Sequence, residues 1–262
     1  MVRSLVGERG WTALRRARKK CRRLLRRPVG NHRRDDLQEL AIRFGTDKWG
    51  SHRYTPHYQR HLGHLRNSKI RLLEIGIGGY SAADRGGGSL RMWKSFFRNG
   101  QITGLDLHDK SFVNEPRIRA FKGDQTDVEL LQKINSLAGP FDVIIDDGSH
   151  RSEHIVATFR VLFPLLANHG VYVVEDTQTS YWPEWGGSDS LTSDATSMAF
   201  FKRMVDGLNW EEFVDDDYEP TYSDQFVRGL HFYHNLVFVE KGRNREGTRK
   251  KKILRERYQP RT

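Results

Sequence analysis

Two clusters of polar residues in this chain could together bind a metal ion and accept a proton. The first is the sequence Asp146-Asp147-Gly148-Ser149-His150, and the second is the pair Glu175-Asp176. Carboxylates are the hard oxygen ligands that Mg²⁺ prefers, and an unperturbed imidazole accepts a proton near neutral pH. We therefore predict that Asp147, Glu175 and Asp176 are metal ligands and that His150 can act as a proton acceptor.

Each cluster directly follows a short apolar segment that is predicted to be a buried strand. Residues 142–145 and 170–174 are rich in β-branched side chains, as is typical of central strands in a parallel sheet covered on both faces. Ligands bind beyond the carboxyl ends of such strands, so the two clusters meet if the two strands are neighbours. A single acidic residue after a strand more often caps the next helix. Three acids and one histidine at two adjacent strand ends favour a functional site over simple helix capping.

Predicted strands and helices alternate along most of the chain. Further strands are predicted at residues 69–75, 101–106 and 117–121, with one long last strand at 229–240, and helices are predicted at residues 35–44, 89–97, 127–137, 154–166 and 190–208. Five strands that alternate with helices predict an α/β fold, a doubly wound and mostly parallel sheet with right-handed connections. We expect the last strand to be antiparallel to the others.

The net charge of +11 is concentrated at the two ends of the chain. Residues 1–34 contain 13 Lys and Arg and one Glu, and residues 241–262 contain 10 Lys and Arg and two Glu, so the segment between them is net negative. We therefore predict a basic tail over residues 1–34, one domain over residues 35–240, and a basic C-terminal tail over residues 241–262. Because the central domain is acidic, the basic pI of the whole chain does not indicate that it binds nucleic acid.

The chain has one cysteine, Cys21, and no segment of about 18 consecutive apolar residues that could span a bilayer. One cysteine excludes an intramolecular disulfide, and the N-terminus lacks the apolar core and the cleavage site of a signal peptide. A cytoplasmic protein is therefore expected. Trp11, Leu14 and Leu24 recur among Arg and Lys at roughly helical spacing, so residues 1–30 could also lie on an anionic membrane surface. A solvated tail and a mitochondrial presequence are the alternatives for this segment.

An acidic residue ends each of the first three predicted strands: Glu74, Asp106 and Asp124. Gly76 and Gly78 follow the first strand and would let a ligand approach the backbone, but residue 81 is Ser, where a dinucleotide fingerprint requires Gly. Asp106 could accept hydrogen bonds from both ribose hydroxyls of a nucleoside, and Asp124 with Gln125 could contact an adenine edge. A carboxylate near the first turn repels a pyrophosphate but suits an ammonium and a sulfonium group. These residues favour S-adenosylmethionine (SAM) over NAD.

Five motifs between about residues 45 and 241 carry a family resemblance. They are Gly45-Thr46-Asp47-Lys48, Leu73-Glu74-Ile75-Gly76-Ile77-Gly78-Gly79-Tyr80, Ser89-Leu90-Arg91-Met92-Trp93, Asp146-Asp147-Gly148-Ser149-His150 and Val174-Glu175-Asp176-Thr177-Gln178-Thr179-Ser180-Tyr181-Trp182. On these motifs, of which the last two are specific, the chain resembles class I SAM-dependent methyltransferases. More narrowly, it resembles the metal-dependent sugar O-methyltransferases of the mycinamicin and demethylmacrocin type, and it is similar to related actinobacterial glycan O-methyltransferases.

The resemblance implies a Rossmann-like class I methyltransferase fold that uses SAM and Mg²⁺. It implies that the residues matching Asp147, Glu175 and Asp176 hold the metal and that the match to His150 is the general base. The macrolide enzymes carry an additional N-terminal domain, where this chain has a short basic tail, and this leaves its assembly and the size of its acceptor open. The predicted cofactor-binding residues are Thr46, Glu74, Gly76, Gly78, Tyr80, Ser89, Asp106, Asp124, Gln125 and Asp146.

The expected reaction is SAM- and Mg²⁺-dependent methylation of a sugar hydroxyl in a glycosylated natural product or a polysaccharide. Such a hydroxyl is a poor nucleophile, so a metal that lowers its pKa and a base that takes its proton both promote methyl transfer. The alternatives are a catechol-type O-methyltransferase that acts on a small diol, and a basic-tailed membrane or nucleic-acid adaptor built on a methyltransferase fold. An intact acid triad with a histidine favours an enzyme. We expect a homo-oligomer with a sugar-containing acceptor and no nucleic-acid partner.

Several other residues are weaker candidates for site roles. His154 is expected to be structural rather than a metal ligand. His231 and His234 fall on opposite faces of the predicted last strand, so they are not expected to serve one pocket. The aromatic residues that could stack on a sugar ring, or could equally belong to the core, are Tyr181, Trp182 and Trp185. The residues that could close over the cofactor are Thr46, Asp47, Tyr54 and Tyr58.

Overall fold

A seven-stranded sheet organises the part of the chain that the computed structural model describes, which is residues 36–248 apart from residues 83 and 216. The strands are β1 (Arg71–Ile75), β2 (Gln101–Asp106), β3 (Ile118–Lys122), β4 (Val143–Asp146), β5 (Val171–Glu175), β6 (Val227–Tyr233) and β7 (Leu236–Lys241). The α-helices are α1 (Leu37–Phe44), α2 (Thr55–Leu62), α3 (Gly88–Phe96), α4 (Val128–Ala138), α5 (Ser152–Leu165), α6 (Ser197–Gly207) and α7 (Tyr222–Phe226).

The strand order is β3-β2-β1-β4-β5-β7-β6. Strands β1 to β5 pair in parallel, β7 runs antiparallel to β5, and β6 runs antiparallel to β7. The strand order reverses between β1 and β4, which is where a crevice opens at the carboxyl edge of a doubly wound sheet. Strands β4 and β5 are neighbours, with Asp146 opposite Val174. The two polar clusters that follow these strands therefore meet at this edge.

Helices cover both faces of the sheet and bury an apolar layer on each. On one face, Leu40 of α1 and Trp93 of α3 belong to the same buried cluster as Leu72, Val143 and Phe238 of the sheet. The core residues of the opposite face come from helices α4, α5 and α6 and from alternate positions of the strands, and they include Leu131, Ile134, Phe159, Phe163, Phe201, Leu73, Ile144 and Tyr172. The central strands are buried from both sides, which explains their nearly continuous apolar sequences.

Local capping signals determine where several helices begin and end. The side chain of Asp36 accepts a hydrogen bond from the backbone at the start of α1, and Asp127 and Thr196 do the same for α4 and α6. Each cap satisfies a backbone N–H that has no partner within its helix. Gly45 ends α1 with φ at 69°, a left-handed conformation that glycine adopts at low cost.

The predicted five parallel strands are confirmed, with ends that differ by at most two residues. Helix α6 is shorter than the predicted helix at 190–208, because it begins only after its cap at Thr196. The prediction of one long strand over residues 229–240 is wrong. The chain reverses at His234 and Asn235 to form the β6–β7 hairpin, and Asn235 has φ at 61°. Apolar and aromatic residues lie on both sides of this short turn, so the sequence pattern resembles that of one continuous strand.

The chain remains packed on the domain beyond β7. Lys241 donates hydrogen bonds to the carbonyl oxygens of Pro164 and Leu166, and the Asn244 side chain donates to those of Leu208 and Asp224. The predicted basic tail at residues 1–34 and residues 249–262 lie outside the described residues. Among the helices described between residues 36 and 248, none combines the length and apolar character needed to cross a membrane.

The hairpin provides a test of local backbone preference. Asn235→Val should lower the free energy of unfolding by about 1–2 kcal/mol, because a β-branched residue tolerates positive φ poorly. Asn235→Gly should be close to neutral, since glycine adopts this conformation readily. Urea unfolding of both variants beside the parent protein measures the difference. Equal stability of the Val and Gly variants would contradict the assigned turn.

Candidate active site

A cleft of about 670 Å³ opens at the carboxyl edge of the sheet, next to the ends of the neighbouring strands β1 and β4. Its walls are the loop after α1, the glycine-rich turn after β1, the ends of β2 and β3, and the loop after β4. Asp176, at the end of β5, completes the wall on the side of the β4 loop. The crevice expected from the sheet topology is thus present, and residues from several strand ends face it.

The glycine-rich turn after β1 depends on the absence of side chains at two positions. Gly76 has φ at 89°, and a Cβ there would lie 2.0 Å from the carbonyl oxygen of Asp147. Gly78 has φ at 79°, and a Cβ there would meet nothing within 4 Å, so this backbone faces open space. The Asp106 carboxylate accepts a hydrogen bond from the backbone N–H of Ile77 at 2.9 Å, which ties the turn to β2. The turn therefore presents bare backbone to the cleft.

A buried lysine joins the acids of three strands behind this turn. Lys48 is fully buried, and its Nζ lies 2.7 Å from Asp147 Oδ2, 2.7 Å from Glu175 Oε1 and 3.1 Å from Glu74 Oε1. Glu74 Oε2 also accepts a hydrogen bond from Ser89 Oγ at 2.7 Å. We refer to Lys48, Glu74, Asp147 and Glu175 as the lysine cluster. It links the loop after α1 to β1 and to the ends of β4 and β5.

Burial shifts the pKa of every member of the lysine cluster. Burial raises the pKa of Glu74, Asp147 and Glu175, and the ammonium of Lys48 partly opposes this rise. For Lys48 itself, burial lowers the pKa, but the neighbouring carboxylates outweigh burial and hold its pKa well above the usual value. The lysine is therefore charged, and it faces three carboxyl groups whose raised pKa values show that their ionisation is costly here. A further cation nearby would favour their ionised forms.

Asp147, His150 and Asp176 come together at the rim of the cleft. Each offers one ligand atom, and these atoms all lie within 4.8 Å of one another, as a metal site requires. His150 Nε2 is 3.7 Å from Asp176 Oδ2. Glu175, in contrast, does not line the cleft and is only 2% exposed, so it lies behind Asp147 and is joined to it through Lys48.

The backbone at His150 and Asp176 is unusual in the same way. Both residues have positive φ, 57° and 54°, which is uncommon for residues other than glycine. The Thr179 hydroxyl lies 2.6 Å from the carbonyl oxygen of His150 and 3.1 Å from that of Asp176. One buried threonine thus holds the two strained residues next to each other. Strained backbone of this kind persists where the surrounding structure enforces it, often at functional sites.

Two tyrosines, one directly before α2 and one within it, hold the acidic pair Glu175 and Asp176. Tyr54 OH donates a hydrogen bond to Asp176 Oδ1 at 2.7 Å, and Tyr58 OH donates to Glu175 Oε1. Burial, with the adjacent carboxylates, raises the pKa of both phenols well above the usual value, so both act as donors. Tyr54 and Tyr58 therefore support the acids and do not line the cleft, whereas Thr46 and Asp47 line it.

Most of the predicted cofactor-binding residues line the cleft, and two do not. Glu74 and Asp146 are at most 1% exposed and lie beneath its surface. Burial raises the pKa of Asp146 to about 6, and its carboxylate accepts hydrogen bonds from Gln125 and Tyr172. The predicted residues that do line the cleft are Thr46, Gly76, Gly78, Tyr80, Ser89, Asp106, Asp124 and Gln125.

The weaker candidates differ in their positions. His154 lines the cleft, and its Nδ1 lies 3.0 Å from Ser149 Oγ, so it steadies the loop after β4. The rings of Trp185 and His150 are 6.4 Å apart. Tyr181, Trp182 and Trp185 are each more than 40% exposed, so they are not core residues, and Trp185 lies beside the site.

Sequence reasoning missed the roles of two lysines. Lys48 ends the Gly45-Thr46-Asp47-Lys48 motif, but nothing in its local sequence indicates that it is buried among acids from three strands. Lys110 is also buried, and it donates hydrogen bonds to the carbonyl oxygens of Tyr80, Ala82 and Arg85. It thereby holds the loop after the glycine-rich turn. Lysines are seldom buried unless they are paired, so composition alone does not reveal such roles.

Comparison with known proteins gives close relatives, although no protein-family model matches the chain. It is 52% identical to demethylmacrocin O-methyltransferase of Streptomyces fradiae over 81% of this chain and 54% of that protein. It is 50% identical to mycinamicin VI 2''-O-methyltransferase of Micromonospora griseorubida over 82% of this chain and 55% of that protein. The chain thus spans about half the length of the curated relatives it matches.

A solved structure agrees with these sequence relatives. The chain superposes with a TM-score of 0.79 on the MycE methyltransferase of the mycinamycin biosynthetic pathway, determined in complex with Mg and SAH. The two are 47% identical, and the match covers 90% of this chain and 61% of that one. The predicted class I methyltransferase fold, with its mostly parallel sheet and antiparallel end, is confirmed. Over the part of those proteins that it spans, the chain is therefore a homologue of the sugar O-methyltransferases of the mycinamicin and demethylmacrocin type.

Proposed function

We propose that the chain is a SAM- and Mg²⁺-dependent O-methyltransferase that methylates a sugar hydroxyl of a glycosylated natural product or a polysaccharide. The observation that carries this proposal is the presence, in one cleft, of a bare glycine-rich turn and of Asp147, His150 and Asp176. The named relatives are sugar O-methyltransferases, and the matched structure contains Mg and SAH. Because the chain spans about half the length of those relatives, we infer the activity from this domain alone.

The residues at the ends of β4 and β5 suit Mg²⁺. Asp147 and Asp176 place carboxylate oxygens close together, and the lysine cluster beside them has one ammonium for three carboxyl groups. Mg²⁺ prefers oxygen ligands to nitrogen, so we assign Asp147, Glu175 and Asp176 to the metal and not His150. Glu175 shares the Lys48 ammonium with Asp147, so it lies beside the other proposed ligands. When bound, the ion would lower the pKa of the acceptor hydroxyl.

His150 is assigned the role of general base. Its ring lies at the rim of the cleft, and its Nε2 faces the Asp176 carboxylate at 3.7 Å. A proton taken from the acceptor hydroxyl would make the ring cationic, and the adjacent carboxylate would stabilise that charge. The Thr179 hydroxyl contacts the carbonyl oxygen of His150, so the backbone that carries the proposed base is held before the acceptor arrives.

The part of the cleft between the glycine-rich turn and the ends of β2 and β3 is assigned to SAM. Gly78 leaves open space for a close approach to the backbone. Asp106 accepts backbone hydrogen bonds from Ile77 and His108, both at 2.9 Å, and a carboxylate retains further lone pairs for ribose hydroxyls. Gln125 lies at the end of β3, where it could meet the adenine.

The exposed aromatic surface beside His150 is assigned to the acceptor. Aromatic rings stack well on the apolar faces of sugars, and one of these rings, Trp185, lies near the proposed base. Its residues are Tyr181, Trp182 and Trp185.

Three proposals about the whole chain rest on its sequence. We propose that the protein is cytoplasmic, that it assembles as a homo-oligomer, and that residues 1–30 make a peripheral contact with anionic membranes. The density of Lys and Arg in residues 1–34 supports the membrane contact. Domain limits at residues 35 and 240, with basic segments on either side, likewise remain proposals.

Methyl transfer from labelled SAM to a panel of glycosides, with and without Mg²⁺, tests the proposed function. We expect transfer to at least one glycoside only when Mg²⁺ is present, and we expect SAM to raise the melting temperature of the protein. A catechol panel run in parallel separates sugar acceptors from small aromatic diols. Absence of SAM stabilisation, together with nucleic-acid binding that collapses as salt rises, would instead support an adaptor.

Removal of one proposed metal ligand should weaken Mg²⁺ binding. Asp176→Asn should raise the Mg²⁺ concentration needed for half-maximal activity by about tenfold or more, because the site loses one carboxylate charge. Excess EDTA should abolish activity of the parent protein. Asp189→Asn, which changes an exposed acid in the following loop, is the matched control. Activity that is indifferent to EDTA would show that the metal assignment is wrong.

Replacement of the proposed base should separate turnover from binding. His150→Ala should lower kcat by at least about a hundredfold, the usual minimum contribution of a positioned base. The affinities for SAM and Mg²⁺, measured by calorimetry, should stay unchanged. His64→Ala, at an exposed position, is the control. A parallel loss of Mg²⁺ affinity would mean that His150 is a ligand, and near-normal turnover would exclude it as the base.

A further inference from the structure

A second cluster of potential metal ligands lies between α2 and the β6–β7 hairpin. It consists of His61, His231 and Glu240, whose ligand atoms all lie within 4.8 Å of one another. In the sheet, Glu240 pairs with Val171, at the opposite end of β5 from Glu175. At a rise of about 3.3 Å per residue, the length of β5 separates this cluster from the candidate active site by about 13 Å. The cluster is therefore distinct from the cleft.

The distances within the cluster suit a tetrahedral metal ion. His231 Nε2 lies 3.0 Å from Glu240 Oε1, and His61 Nδ1 lies 3.9 Å from the same oxygen. In a tetrahedral zinc site, with ligands at about 2.0–2.2 Å, neighbouring ligand atoms are about 3.3 Å apart. The observed separations lie on either side of this value. Small side-chain movements would therefore bring the three atoms around one ion.

The ring of His61 is held in the orientation that a ligand needs. Its Nε2 lies 2.9 Å from Tyr233 OH, so its Nδ1 faces Glu240. The ring also stacks on Phe238, with centroids 4.3 Å apart. Metal-bound histidines typically use their other ring nitrogen in such a hydrogen bond, which sets the tautomer and orients the ring. Tyr233 is the hydrogen-bond partner of this kind for His61.

The surroundings of Glu240 leave room for an ion. Gly229 lies opposite Glu240 on β6, and a Cβ there would lie 3.4 Å from Glu240 Oε2 and 3.8 Å from His231 Nε2. Because Gly229 has no Cβ, it leaves free the space beside Glu240 Oε2 and His231 Nε2. Arg228 contacts Oε2 of Glu240 at 3.4 Å, so the oxygen that faces the histidines is Oε1. The arginine and an ion can thus use different oxygens.

We propose that His61, His231 and Glu240 form a second metal site, which binds Zn²⁺ or a chemically similar divalent transition metal. Two imidazoles and one carboxylate are a ligand set that zinc accepts, with water in the fourth position. An ion bound there would join α2 to the β6–β7 hairpin. Mg²⁺ does not compete strongly for it, since two of the three ligands are nitrogen. The two proposed sites would thus differ in the metal that they prefer.

Zinc binding to the full chain tests this proposal by competition with a chromogenic chelator. Zn²⁺ is the only added metal, and the parent protein is compared with His231→Ala, Glu240→Gln and the control His234→Ala, an exposed histidine in the same hairpin. We expect His231→Ala and Glu240→Gln to lose one Zn²⁺ equivalent or at least about tenfold in affinity, and His234→Ala to match the parent. Zn²⁺ should also raise the melting temperature of the parent and of His234→Ala by more than it raises that of the other two.

The group Asp147, His150 and Asp176 could also take up Zn²⁺, so the titration is repeated in a His150→Ala background. The loss caused by His231→Ala should be the same there as in the parent. Glu240→Gln preserves side-chain shape, and it carries the test if His231→Ala does not fold. Unchanged zinc binding in Glu240→Gln and His231→Ala would overturn the proposal. The methyltransferase assay does not enter this test, so failure of either proposal leaves the other standing.

Discussion

The buried ammonium of Lys48 is the interaction on which the rest of the site depends. Moving a charge out of water costs several kcal/mol, and the cost is recovered only if opposite charges are well placed. Lys48 meets this condition with carboxylates from β1, β4 and β5, at 2.7–3.1 Å. The loop after α1 must therefore close against the ends of three strands before the lysine is stable. This closure forms one wall of the cleft and sets the spacing of Asp147 and Glu175.

The rim of the site is held by backbone strain as well as by charge. His150 and Asp176 both adopt a left-handed conformation that costs about 1–2 kcal/mol for a residue other than glycine. The Thr179 hydroxyl contacts the backbone carbonyl of each residue, which connects the loops after β4 and β5. Tyr54 adds a hydrogen bond to the Asp176 side chain. Several independent contacts thus enforce one geometry, which explains how the two residues stay in place before a ligand binds.

Sequence patterns predict the parts of this fold that depend on residues close together in the chain. The apolar runs before Asp147 and Glu175 mark buried parallel strands, and parallel strands bring their carboxyl ends to one edge. The role of Lys48 could not be found in this way, because its partners are distant in sequence and meet it only after the sheet forms. The β6–β7 turn was missed because His234 and Asn235 are a weak turn signal between two apolar segments. The sequence therefore does not reveal contacts between residues that are distant in the chain, nor a turn with a weak local signal.

Helix α2 connects the cleft to the more distant histidine cluster. Tyr58 and His61 lie one turn apart on this short helix, with Tyr54 just before it, and all three point toward the sheet. Tyr58 and Tyr54 hold Glu175 and Asp176, while His61 contacts Phe238 and Glu240 on β7. A helix of eight residues is too short to be stable alone, so its position depends on these contacts. An added bond at His61 would therefore reduce the movement of the two tyrosines, and through them the movement of the acids at the candidate metal site.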